Sequence, residues 1–179
     1  MVYNPDMHHR RSIRVKGYDY SSAGAYFVTL CTHNRQCLFG EIVGGEMCLN
    51  AMGKIVAEEW VKTGLIRQEN ELDAWVVMPN HLHGIVMVLD QGARRAPLQP
   101  NATNRRGERA PKSLGALIAG FKSAATKRIN QMRQTPGPPI WQRNYWEHIV
   151  RNEKDLHEIR QYICNNPMSW AMDTLFVAR

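Results

Sequence analysis

Residues 81–83 read His-Leu-His. On an extended strand alternate side chains share a face, so His81 and His83 project together while Leu82 turns into a core on the other side. Two imidazoles so placed can share one metal ion, although any pair of surface histidines on a strand looks the same. Far along the chain, Tyr162 and Asn166 are four apart and fall on one face of a helix. A tyrosine hydroxyl can act as a nucleophile. Pro167 disfavours helical backbone at Asn166, which predicts a frayed end from which the amide oxygen turns toward a metal. The plain alternative is an amphipathic helix with Leu156, Ile159 and Ile163 as its apolar stripe, Tyr162 beside it and Asn166-Pro167 as its stop. Tyr145 is the rival nucleophile. With Trp146 and His148 it could equally stack bases of a single strand. His8 and His9 lie in a basic arm, and His33 and His157 have no partner at useful spacing.

These groups need a scaffold. Tyr26–Thr32 is rich in aromatic and β-branched residues and predicts a strand. Gly44-Gly45 divides Cys37–Val43 from Glu46–Leu49 as a hairpin turn does. Asn50 caps a helix expected to run to about Thr63, with Gly64 as its stop. Ala74–Met78 and His83–Leu89 are strands joined through Pro79-Asn80, with His81 at the start of the second. Ser113 caps a second helix with Leu114, Leu117, Ile118, Phe121, Ala125 and Ile129 on its apolar side and Lys122, Lys127, Arg128 and Arg133 opposite. After the break at Pro136–Pro139, Tyr145–Val150 predicts a last strand, and Asn152 caps a third helix ending before Pro167. That order is the α+β, ferredoxin-like antiparallel sheet with helices on one face, plus an added N-terminal hairpin and a C-terminal tyrosine-bearing helix. The fold hosts many functions and decides none.

The 179 residues are expected to form a single domain, 1–179, with a net charge of +7. Arg10, Arg11, Arg14 and Lys16 lie in a basic arm (7–18) without an acid. Arg94, Arg95, Arg105, Arg106, Arg109 and Lys112 lie in a Pro/Gly-containing loop (92–112) against Glu108 alone. The two segments together exceed the net charge of the chain, so the body is nearly neutral. Clustered positive charge suits an anionic polymer through counterion release. No apolar run is long enough to span a bilayer and no signal-peptide pattern follows the basic arm, so the expected setting is cytoplasmic. Cys31, Cys37, Cys48 and Cys164 show no metal-ribbon spacing and are read as reduced, buried thiols.

Three separated stretches, M-P-N-H-L-H-G-I-V (Met78–Val86), W-Q-R-N-Y-W-E-H-I-V-R-N (Trp141–Asn152) and Q-Y-I-C-N-N-P (Gln161–Pro167), appear in the order found in the single-tyrosine HUH transposases. The chain resembles the REP-associated tyrosine transposase branch over most of Tyr18–Trp170; Phe121-Lys122-Ser123 also fits, and the long basic loop does not. The resemblance implies Tyr162 as nucleophile, His81 and His83 as the histidine pair and Asn166 as the third ligand. It implies Mg2+ or Mn2+, single-stranded or hairpin DNA, and a 5′-phosphotyrosine intermediate in a transposase or strand-transferase reaction. Such enzymes work as a monomer or a homodimer. A metal, or a nearby cation such as Lys122 or His148, is the expected source of help for ionising the tyrosine. The basic arm and loop residues, with Lys122, Lys127, Arg128, Tyr145, Trp146 and His148, are the expected DNA contacts. Two other readings stay open: a nucleic-acid-binding module that does not cut, and a metal-dependent phosphodiesterase that uses water.

Overall fold

A computed structural model describes residues 18–90, 113–134 and 136–177. Its elements run β1 (Gly24–Cys31), β2 (Gly40–Val43), β3 (Glu46–Leu49), α1 (Ala51–Ile66), β4 (Asn70–Met78), β5 (His81–Val88), α2 (Leu114–Arg133), β6 (Trp146–Val150) and α3 (Glu153–Asn165). Four strands form an antiparallel sheet in the order β4-β5-β1-β6, and β2 and β3 form a separate hairpin. This is the expected α+β, ferredoxin-like order. The basic arm, apart from Tyr18, and the whole 92–112 loop lie outside the described residues, as do Arg10, Arg11, Arg14, Lys16, Arg94, Arg95, Arg105 and Arg106.

Alternation along the central strands divides the protein into two cores. Tyr26, Val28, Leu30, Leu82 and Val86 join Val56 and Trp60 of α1 and Leu117, Phe121 and Ile129 of α2 in the larger one. Ala25, Phe27 and Ile85 face the other way and meet Leu156 and Ile163 of α3. The ferredoxin-like helices α1 and α2 therefore share one face, and the added helix α3 covers part of the opposite face. That second face is where His81 and His83 point.

Capping follows the local rules. The side chains of Asn50, Ser113 and Asn152 accept hydrogen bonds from the amides of Gly53, Ala116 and Asp155. Helix α1 departs from expectation by passing through Gly64 to Ile66. A Cβ at Gly64 would lie 2.8 Å from Leu72 Cγ, so this glycine is a packing contact with β4 and not a stop. Gly84 is similar. A Cβ there would sit 2.7 Å from Cζ2 of the fully buried Trp60. Gly84→Ala is thus expected to destabilise the protein by about 1–3 kcal/mol through overpacking. A fall in the chemical denaturation midpoint, at unchanged m-value, checks it.

The cysteines are free, as expected, but Cys48 and Cys164 are exposed. Cys31 and Cys37 are only half-buried, so none of the four is the buried thiol that was expected. No helix among the described residues is long and apolar enough to cross a membrane.

Candidate metal and tyrosine site

The β5 register places His83 opposite Thr29 and His81 opposite Cys31 on β1. Both histidines are buried. Their rings are 4.3 Å apart between centroids, and each is oriented through Nδ1. Thr29 Oγ1 lies 2.8 Å from His83 Nδ1. Asn80 Oδ1 lies 2.8 Å from His81 Nδ1. The Asn80 amide cannot be turned round, because its Nδ2 donates to the carbonyls of Arg35 and Leu175. Its oxygen therefore faces His81, Nδ1 carries the proton, and Nε2 of His81 presents a lone pair.

Three ties hold α3 over this face. Its stripe of Leu156, Ile159 and Ile163 packs on the sheet. Arg160 forms a two-pronged ion pair with Asp73 of β4, which keeps the Asp73 carboxyl below its usual range. Near the start of the helix, Asp155 accepts from Arg151 N–H at 3.1 Å and pairs with His148 Nε2 at 3.0 Å. Held this way, Tyr162 places its hydroxyl 3.3 Å from His83 Nε2, within one chain.

Asn166 is not at a frayed end. Its backbone is α-helical (φ −57°, ψ −41°) and its side chain is buried. The Ser169 amide bonds to the carbonyls of Asn165 and Asn166, both at 3.1 Å, which carries the helical curl past Pro167. The turn continues through Trp170–Met172 and delivers Asp173, which no sequence motif marks. Asn166 Nδ2 donates to Asp173 Oδ2 at 3.0 Å, and the Tyr162 hydroxyl lies 3.5 Å from the same oxygen. His81, His83 and Asp173 each offer a ligand atom, all within 4.8 Å of one another.

The residues fit a cation. Among the buried atoms without a hydrogen-bond partner are His81 Nε2 and Asn166 Oδ1, and both are acceptors. A buried acceptor left unpaired costs about 1–3 kcal/mol, which a coordinated ion removes. Burial pushes the His81 pKa down to about 3, and burial together with His81 holds His83 well below its usual value. Both rings are neutral at pH 7, the form that ligates metals.

Among the described residues, no cation lowers the pKa of the Tyr162 hydroxyl. Burial comes first and the Asp173 charge second in raising its pKa above the usual tyrosine value, partly countered by a hydrogen bond from Asn166. Lys122 does not reach it. Its Nζ donates to the carbonyls of Gln142 and Asn144, at 2.9 and 2.6 Å, and lies 5.8 Å over the Trp141 ring. His148 is engaged by Asp155. Other expected DNA contacts are also redirected: Arg128 pairs with Glu58 and Glu59 of α1 at 2.6 and 2.8 Å. Tyr145 is buried in the larger core, on the far side of the sheet from His83. Lys127 and Trp146 do face solvent, Trp146 at 48% exposure.

Lys122 supplies a separate prediction. Burial lowers its pKa to about 8, below the value near 10.4 of an exposed lysine. Between those values the unfolded chain holds the extra proton, so stability rises with pH across this window. Against Lys122→Met, wild-type stability is expected to improve by about 1–2 kcal/mol between pH 8 and pH 10.5, after allowance for solvent screening. Denaturation of both proteins across that range checks it.

No protein-family model matches the chain. An uncharacterized protein of Haemophilus influenzae (strain ATCC 51907 / DSM 11121 / KW20 / Rd) is 41% identical over 177 residues, covering 98% of this chain and 97% of that protein. The two proteins belong to one family. In three dimensions the chain is similar to a REP-associated tyrosine transposase solved bound to a REP hairpin, with a TM-score of 0.59, 22% identity, and coverage of 87% of this chain and 73% of that one. The family to which this chain and the Haemophilus protein belong thus has a transposase-like fold.

Proposed function

We propose that this protein is a metal-dependent endonuclease and strand transferase for single-stranded, hairpin-forming DNA, working through a 5′-phosphotyrosine intermediate. One observation carries the reading: the Tyr162 hydroxyl lies 3.3 Å from His83 Nε2, beside two buried acceptors that lack partners, His81 Nε2 and Asn166 Oδ1. The likeness in fold to a transposase bound to a DNA hairpin supports it.

His81, His83 and Asn166, with Asp173 beside them, would hold Mg2+ or Mn2+, which polarises the scissile phosphate and offsets charge developing on it. Tyr162 Oη attacks phosphorus in line with the departing 3′-oxygen. The tyrosine–phosphorus bond forms as the phosphorus–3′-oxygen bond breaks, and the 3′-oxygen leaves as a hydroxyl after taking a proton from water. With His81 and His83 as ligands, the Asp173 carboxylate, 3.5 Å from the tyrosine hydroxyl, would take its proton. The phosphoester linkage is kept in the adduct, so reversal with a different 3′-hydroxyl joins strands without a nucleotide cofactor. In this reading Tyr162 serves the histidines of its own chain, which it overlies. Arg10, Arg11, Arg14, Lys16 and the basic residues of 92–112 would hold phosphates outside it.

The set His81, His83 and Asp173 also resembles the two-histidine, one-carboxylate pattern of hydrolytic metal sites. An end-labelled hairpin oligonucleotide incubated with the protein and Mn2+ separates the readings on a denaturing gel. A covalent protein–DNA band is the expected result. Cleavage without a band indicates water as nucleophile, and retention without cleavage indicates a binding module.

A further inference from the structure

Next to Tyr162 lies an open cavity of about 720 Å3, within the range of about 300–1,000 Å3 usual for ligand sites. We propose that it is a subsite for one unpaired nucleobase flanking the reacting phosphate, stacked on Trp146 and read by the carboxylate of Glu158, with guanine preferred. This rests on the function proposed above and names a determinant of its substrate.

The cavity follows β1 along the face covered by α3. Register sets Trp146 beside Thr29 on β6 and His148 beside Phe27, while His83 lies beside Thr29 on β5. Phe27 is the shared floor, with ring centroids 5.3 Å from His83, 6.0 Å from Tyr162 and 5.6 Å from Trp146. The reacting hydroxyl and the indole therefore stand on either side of one phenylalanine. A phosphate at the hydroxyl would thus have its own or a neighbouring base on the Trp146 side of the cavity. Trp146 is held edge-on by Phe27 and parallel to His148, with an interplanar angle of 8°. Its exposed ring is a platform of the kind on which unpaired bases stack.

Charge is polarised along the cavity. Arg35, which donates to the Thr174 carbonyl, lines the end near Cys31 and suits a phosphate. Asp155 and Glu158 line the α3 side, where they repel phosphate and accept N–H donors. Asp155 is already bonded to His148 and the Arg151 amide. Among the described residues Glu158 pairs with Lys154, at 3.9 Å, and both side chains are mostly exposed. A carboxylate accepts two N–H groups from guanine and one from cytosine or adenine. The single N–H of thymine lies between two carbonyls that repel it.

Two readouts on the full chain test the subsite. In the first, hairpin oligonucleotides carry 2-aminopurine stepped along the single-stranded flank, without metal. Quenching is expected at one position. It should be lost in Trp146→Ala, restored in Trp146→Phe and unchanged in Tyr162→Phe. In the second, replacing guanine by hypoxanthine at that position in Mn2+ should lower kcat/KM for adduct formation about tenfold, the value of a hydrogen bond to a charged group. Glu158→Gln should shrink that ratio to about twofold. Absence of Trp146-dependent quenching at every position overturns the subsite, and an unchanged ratio in Glu158→Gln overturns its reading by Glu158. Quenching as expected with no covalent band in wild type overturns the strand-transfer function and leaves the base subsite standing.

Discussion

Tyr162→Phe abolishes covalent capture of DNA while fold, metal affinity and hairpin binding stay within about twofold of wild type: this is the largest effect expected of any single atom. A nucleophile cannot be replaced by its neighbours, and removal of one in enzymes that form covalent intermediates costs on the order of 10^3-fold or more. The structural cost is small for reasons visible in the site. Phenylalanine keeps the ring contacts with Phe27 and His83, at 6.0 and 5.2 Å. The lost hydroxyl makes long contacts, of 3.3 and 3.5 Å, and a hydrogen bond with Asn166, on a residue that is 46% exposed. Loss of stability should stay below about 1 kcal/mol. Denaturing gels with an end-labelled hairpin, intact-mass spectrometry of the adduct and a thermal melt check the three parts. An adduct still formed by Tyr162→Phe would falsify the assignment of the nucleophile, and Tyr145, buried across the sheet, offers no ready substitute.

The second large effect is on metal. In wild type, Mn2+ at a hundred times its dissociation constant should raise stability by about 2.7 kcal/mol through preferential binding to the folded state. In His81→Leu that increment should vanish, together with on the order of 10^3-fold of Mn2+-dependent adduct formation. Without metal the variant should melt close to wild type, because two terms oppose each other. Leucine removes the buried, unpartnered Nε2, but it also leaves Asn80 Oδ1 without the hydrogen bond it makes to Nδ1. Calorimetric melts with and without Mn2+ read both quantities. An equal Mn2+ increment in His81→Leu would move the ion away from the histidines.

Several parts of this arrangement are legible in the order of residues alone. Alternation at residues 81–83 puts two imidazoles on one face, and side-chain caps at Asn50, Ser113 and Asn152 start three helices. These depend on neighbours within about four positions, so they can be read along the chain. The departures from expectation share a cause. Gly64 reads as a stop because nothing local shows that Leu72 packs against it. Pro167 reads as a break because its local preference is opposed by contacts that lie beyond it: the Ser169 amide bonds back across the proline and the Trp170 amide to its carbonyl, and the Asp173 carboxylate accepts from the Asn166 side chain. Lys122 and Arg128 read as free charges, but carbonyls from the segment before β6 and carboxylates from α1 claim them.

The sequence by itself determined which groups are capable of chemistry: the histidine pair on one strand face and the tyrosine and asparagine one helical turn apart. It determined the order of elements as well, since hydrophobic period and capping are local. Tertiary structure alone decided that these pairs meet, with Tyr162 brought 79 positions back to His83. It also added Asp173, which carries no motif and becomes part of the site only because the turn after α3 brings it beside the histidines. Proximity across a fold comes from burying apolar faces and pairing buried polar atoms over long range, and no window of neighbouring residues contains either.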